Sequence, residues 1–331
     1  MVLKHEGAQS SALNKESNKL AAAQSGAQRS IGMRAGGPFA AIAVLTSVLC
    51  ACSGHAAATP SLPVSNAAVR IPGPLADIPD AKTGEKIYVA NSAANNIETY
   101  TTAGKASKPT ITKGVNDPGI IAVNSKGDIF VPNYEDDTVT TYTSSGKPTK
   151  PTITVGLNEP TGVAVDAKGK IYVSNAFTSN VTTYTPDGKQ TTPTLANIDG
   201  PRGIAVDAKG KIYVANFGSG MVTTYTADGK PAKPTITGLE GPGGIAVDKN
   251  GKIYVTNYYG NTLMTFTASG KPTTPTITTG LGTPFGVAVD AAGKIYVINH
   301  SPQELLTFTA KGTPSTPTIT TLSEPWGVAI H

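Results

Sequence analysis

The run Pro160-Thr-Gly-Val-Ala-Val-Asp-Ala-Lys-Gly-Lys-Ile-Tyr-Val-Ser-Asn175 decides how this chain folds. Two short β-branched segments flank Asp166-Ala-Lys-Gly169, which reads as two strands joined by a tight turn. Two more strand-like segments complete the unit: Val-Thr-Thr-Tyr-Thr, as at 181–185, and Pro-Thr-Ile-Thr, as at 151–154 and 234–237. The marker Ile-Tyr-Val, or Ile-Phe-Val, begins at Ile87, Ile129, Ile171, Ile212, Ile253 and Ile295, at intervals of 42, 42, 41, 41 and 42 residues.

Four strands per unit of this length is the pattern of a propeller blade, and six units predict an all-β, six-bladed β-propeller over residues 84–331. The two ends of the repeat complement each other. The unit at Ile87 has no Gly-Val-Ala-Val strand ahead of it, and the chain finishes on Gly327-Val-Ala-Ile330 with no second strand behind it. The terminal strand is therefore expected to pair beside residues 86–91 and close the ring, removing the open edges that invite aggregation.

Composition agrees. The 331 residues include 36 Gly and 25 Pro, and only 15% are charged, which speaks against long helices and for strands joined by turns. The formal charge of +5 owes much to the leader. Residues 1–51 hold five of the 27 basic and two of the 22 acidic side chains, leaving 22 against 20. No nucleic-acid partner is indicated.

The apolar stretch 38–49 follows Arg29 and Arg34 and is shorter than the roughly 20 residues of a membrane-spanning helix, so residues 1–51 read as a secretory signal. Leu49-Cys50-Ala51-Cys52 resembles a bacterial lipobox, which implies lipidation at Cys52 and an extracytoplasmic, membrane-anchored protein at an outer membrane or cell surface. Residues 52–83, rich in Ala, Ser, Pro and Thr, read as a flexible tether.

Over residues 84–331 the units resemble NHL-type repeats (Pro-x-Gly-Ile-Ala-Val-Asp, then Gly-x-Ile-Tyr-Val-Ala-Asp) and YVTN-type repeats, whose name Tyr254-Val-Thr-Asn257 spells out. Asn91, Asn133, Asn175, Asn216, Asn257 and Asn299 stand where many NHL repeats have Asp. The resemblance implies a propeller and leaves function open, because such folds host many activities.

Residues repeated in every unit have structural duties. Gly169, Gly210, Gly251 and Gly293 are expected at positive φ in the turns, and Asp166, Asp207, Asp248 and Asp290 are expected to accept turn amides rather than bind calcium. Variable positions inside a strict repeat are free for other work. The middle of Pro-x-Gly reads Gly119, Thr161, Arg202, Gly243, Phe285 and Trp326. The residue after the strand-ending Asn reads Ser92, Tyr134, Ala176, Phe217, Tyr258 and His300. Antiparallel geometry puts both sets at one end of the disc, the first nearest the axis. The expected ligand site is Arg202, Phe285, Trp326 and Thr161, ringed by Tyr134, Phe217, Tyr258 and His300. Aromatic faces and a guanidinium suit an unidentified protein, peptide or glycan. Acids gather at the same end (Asp117, Glu135, Asp136, Asp137, Glu159, Asp199, Glu240, Glu324). Lysines gather at the other (Lys105, Lys126, Lys147, Lys168, Lys189, Lys209, Lys230, Lys249, Lys271), where a basic face could rest on anionic lipid.

Several six-bladed relatives are metal-dependent lactonases or lyases. The body of this chain has two histidines, His300 and His331, and no cysteine, which excludes a three-His zinc site. The innermost loop positions offer no carboxylate for calcium, so no metal or cofactor is assigned. The expectation is a binding or interaction module, with a metal-dependent lactonase or hydrolase of the gluconolactonase-like class as the alternative.

Overall fold

A computed structural model describes residues 84–331. These form 24 strands in six four-stranded antiparallel sheets, the blades of a closed propeller. Blade 3 shows the plan. Its inner strand Pro160–Val165 is followed by Ile171–Asn175, Asn180–Tyr184 and the outer strand Gln190–Leu195, each paired to the one before it. Blade 1 is composite. The last strand, Pro325–Ile330, is its inner strand and pairs with Lys86–Asn91 in the register Ile87↔Ile330, Tyr88↔Ala329, Val89↔Val328. Lys86 and His331 exchange backbone hydrogen bonds at 2.6 and 3.0 Å. The expected closure is the one the molecule has.

Each second strand is an apolar run buried on both faces, because neighbouring blades cover both. The seam between blades 1 and 6 is typical. Ile87, Val89 and Tyr100 from one side pack with Tyr296, Ile298 and Leu305 from the other, around Val328 of the closing strand. The tyrosines of the Ile-Tyr-Val motif lie buried between blades, and the hydroxyls of Tyr172, Tyr213, Tyr254 and Tyr296 reach turn aspartates, as in Tyr213 to Asp207 at 3.1 Å. Those aspartates have the turn role expected of them. Asp166 Oδ1 accepts the amides of Lys168 and Lys170 at 2.8 and 2.9 Å, and Gly169 sits at φ +83°. In blade 2, Asn124 does the same for Lys126 and Asp128.

At the axis the inner strands approach so closely that a side chain is excluded. A Cβ on Gly162, Gly203, Gly286 or Gly327 would lie 2.5–2.7 Å from a carbonyl oxygen of the next inner strand. Pro-x-Gly is thus an axial packing motif, and its middle residue is held at the mouth. Blade 2 departs from it: Ile120 replaces the glycine, its N–H bonds Thr161 O, and the regular inner strand shrinks to Ala122–Val123. The leader, Cys52 and the tether lie outside the described residues.

Candidate functional site

The two variable sets meet in every blade through one backbone hydrogen bond. The N–H after the strand-ending Asn donates to the carbonyl of the residue before Pro: Tyr134 to Asp117, Ala176 to Glu159, Phe217 to Gly200, Tyr258 to Gly241, His300 to Thr283 and Ser92 to Glu324. The residue before Pro has positive φ in all these loops except that its identity alternates: Gly200 and Gly241 in blades 4 and 5, and Asp117, Glu159, Thr283 and Glu324 elsewhere. Blades 4 and 5 are the ones reached by the shorter, 41-residue intervals. There the Oδ1 atoms of Asn216 and Asn257 are buried without a hydrogen-bond partner among the described residues, whereas Asn133, Asn175, Asn299 and Asn91 each accept a loop amide.

Six of the eight expected residues form one continuous arc across four blades. The Arg202 guanidinium lies 5.6 Å from the Phe217 ring centre. Phe217 meets Tyr258 edge-on at 5.8 Å, Tyr258 meets Phe285 at 6.1 Å, and Phe285 meets Trp326 at 4.3 Å and 82°. His300 completes the arc 5.1 Å from Trp326. Edge-to-face contacts set the rings at fixed angles to each other, which makes the arc a rigid wall. Phe285 is buried at 3% exposure, over Gly243, where a Cβ would meet its ring at 3.0 Å. The backbone beneath is pinned as well: the hydroxyl of Ser174 donates to Arg202 O at 2.6 Å, and that of Thr256 to Phe285 O. Burial raises the Tyr258 hydroxyl above its ordinary range, and neighbouring Tyr259 adds to the shift, so it stays protonated.

The other two expected residues stand apart. Thr161 is buried, and its hydroxyl donates to Pro201 O at 2.9 Å across the seam. Tyr134 donates to Glu159 at 2.6 Å on the acidic side of the mouth. The repeat comparison missed Tyr259, which is 65% exposed and packs on both Phe217 (5.3 Å) and Tyr258 (5.2 Å). The doubled tyrosine in Asn257-Tyr-Tyr-Gly was its signal. Beside it, Glu240, Asn257, Thr262 and Met264 line a cleft of about 210 Å³. In blade 6, His300 Nδ1 and Thr283 Oγ1 are buried with no hydrogen-bond partner among the described residues. Among the described residues no three or more His, Cys, Asp or Glu side chains are gathered as a metal-binding group.

Fold and site together define a six-bladed propeller with an aromatic and histidine-bearing wall at its axial mouth. Residues 72–331 match the model of the virginiamycin B lyase family, and the chain belongs to that family. Among solved structures it resembles a chain of a nidogen/laminin complex (17% identity, 75% of this chain and 98% of that one, TM-score 0.63). It also resembles a streptogramin B lyase (16%, 74% and 83%, TM-score 0.58). A third is a catalytically inactive histidine-to-alanine variant of virginiamycin B lyase from Staphylococcus aureus with quinupristin (16%, 71% and 80%, TM-score 0.56). At such identities these structures speak to the fold. No curated protein matches the sequence.

The family match corrects two expectations. The ring belongs to the virginiamycin B lyase family rather than to the NHL- or YVTN-type repeat proteins. The motifs behind that resemblance are the axial glycine, the buried second strand and the Asp-x-x-Gly turn, which the packing of this ring itself requires. Nor is a passive binding module the better reading, since the family is one of enzymes.

Proposed function

We propose that this protein is a lyase acting at the Pro-x-Gly face, with His300 as the proton acceptor and the Phe217–Trp326 arc as the wall that holds the substrate. The carrying observation is that the family match spans the whole ring while this face presents a histidine directly against Trp326. The other histidine among the described residues, His331, sits at the opposite end beside Lys86.

A lyase breaks a bond by elimination. A base takes a proton from carbon, those electrons form a double bond, and the leaving group departs with its bonding pair and takes a proton from solvent. Imidazole suits the first step, because its ordinary pKa lies near neutrality and it can accept a proton and release it between turnovers. His300 is half-buried, and no hydrogen bond at Nδ1 commits its tautomer. The relatives described as streptogramin B and virginiamycin B lyases, one of them inactivated by loss of a histidine, support both the reaction type and substrates of the streptogramin B kind.

The test is incubation of the full chain with virginiamycin B or quinupristin, followed by mass spectrometry. Elimination adds no water, whereas hydrolysis adds one. His300→Ala should lower kcat by about 10²–10⁴-fold, and Trp326→Ala should act mainly on KM. Full turnover by His300→Ala, or a hydrated product, would overturn the assignment.

A further inference from the structure

The end of the disc opposite the aromatic wall carries its own pattern. In each blade the turn joining inner and second strands, and the turn joining third and outer strands, lie at this end. Lys126, Lys168, Lys209 and Lys249 stand in the inner turns of blades 2 to 5, and Lys105, Lys147, Lys189, Lys230 and Lys271 in the outer turns of blades 1 to 5; all are exposed. The turn aspartates at this end offset part of that charge. Asp166, Asp207 and Asp248 accept turn amides, Lys189 and Lys230 pair with Asp187 and Asp228, and among the described residues no ion pair involves Lys126, Lys168, Lys209 or Lys249. Acids instead dominate the aromatic end. A ring with little net charge is therefore split into a cationic face and an anionic face.

A second observation is independent of charge. The chain enters the ring at the cationic end: Lys86 opens the second strand of blade 1, its Nζ bonds Lys108 O, and it pairs with His331.

We infer that the lysine face docks flat on an anionic lipid bilayer and holds the aromatic mouth outward, toward solutes. Exposed ammonium groups on two sets of turns at one end of the disc match a surface of anionic headgroups. Each lysine brought to such a surface strengthens attachment by about fivefold before screening.

The test uses the full chain with vesicles of phosphatidylcholine alone and of phosphatidylcholine with phosphatidylglycerol, read by flotation at rising salt. Binding should require the anionic lipid, decline with salt, and fall by at least about tenfold in the combined Lys126→Gln, Lys168→Gln, Lys209→Gln, Lys249→Gln variant. The protein's single tryptophan, Trp326, reports orientation. In the bound state it should stay open to acrylamide and escape quenching by spin-labelled lipid. Equal binding to neutral vesicles, an unaffected quadruple variant, or quenching of Trp326 from the bilayer would each overturn the inference. So would lysine-dependent binding to duplex DNA or an acidic polysaccharide without vesicle binding, which would assign the face to another polyanion.

Discussion

Replacing Gly286 by alanine tests how axial packing supports the site. Its φ is not in the left-handed region, so the only obstacle is space. The added Cβ would lie 2.6 Å from Trp326 O and 3.1 Å from both Gly327 Cα and Val328 N, where ordinary contact begins at 3.4 Å. All three atoms are backbone of the ring-closing strand, so no rotamer relieves the clash. Blades 6 and 1 must part by several tenths of an ångström, up to the full 0.8 Å shortfall between 2.6 and 3.4 Å. Overpacking of this kind costs about 1–3 kcal/mol, and unyielding backbone puts this case near the top. For a ring of this size the melting temperature should drop by roughly 6–12 °C. Because Trp326 rides on the displaced strand, its stacking on Phe285 should loosen, with a shift in tryptophan emission and a loss of activity. Gly238→Ala is the control: at φ +76° with nothing within 4 Å of its Cβ, it should cost only about 1–2 kcal/mol of left-handed strain and leave the emission unchanged. Should Gly286→Ala melt and emit like the parent, the close axial approach is not what positions the mouth.

Deleting residues 325–331 removes the inner strand of blade 1 and should abolish cooperative unfolding; an unchanged calorimetric transition would count against closure as the source of ring stability. Asp248→Ala frees the amides of Asn250 and Lys252, both now bonded to Asp248 Oδ1, and should cost about 1–2 kcal/mol in denaturant midpoint, while Asp248→Asn, imitating Asn124, should cost less. Tyr172 and Tyr254 are raised from 10.0 to about 12, first by burial and then by the charges of Asp166 and Asp248. The folded ring holds those protons more tightly than the unfolded chain, so this stability is complete below pH 10 and is lost as pH climbs toward 12. Thermal melts across that range should show the decline, and a flat profile would refute it.

Much of the site could be read without coordinates because it lies where a strict repeat relaxes. Arg202, Phe285, Trp326, Phe217, Tyr258 and His300 were found as variation at two repeat positions, and antiparallel alternation alone set them at one end. Side-chain direction was not legible. Thr161 turns inward to Pro201 O, and Tyr134 leans to Glu159, because loop contacts from the adjacent strand decide where each points. Family was not legible either, since the quoted motifs serve the ring itself.

Blade number, closure and turn chemistry follow from local pattern: strand alternation, Asp-x-x-Gly turns, and a final strand that lacks a partner until the first strand supplies one. The tertiary structure alone decided which rings touch. The arc from Arg202 to His300 joins residues far apart in sequence, and it exists only because glycines let the inner strands converge on the axis and bring adjacent loops within stacking distance. Periodicity records what each blade needs for itself, whereas a shared wall depends on the spacing and tilt between blades, which packing across the seams sets.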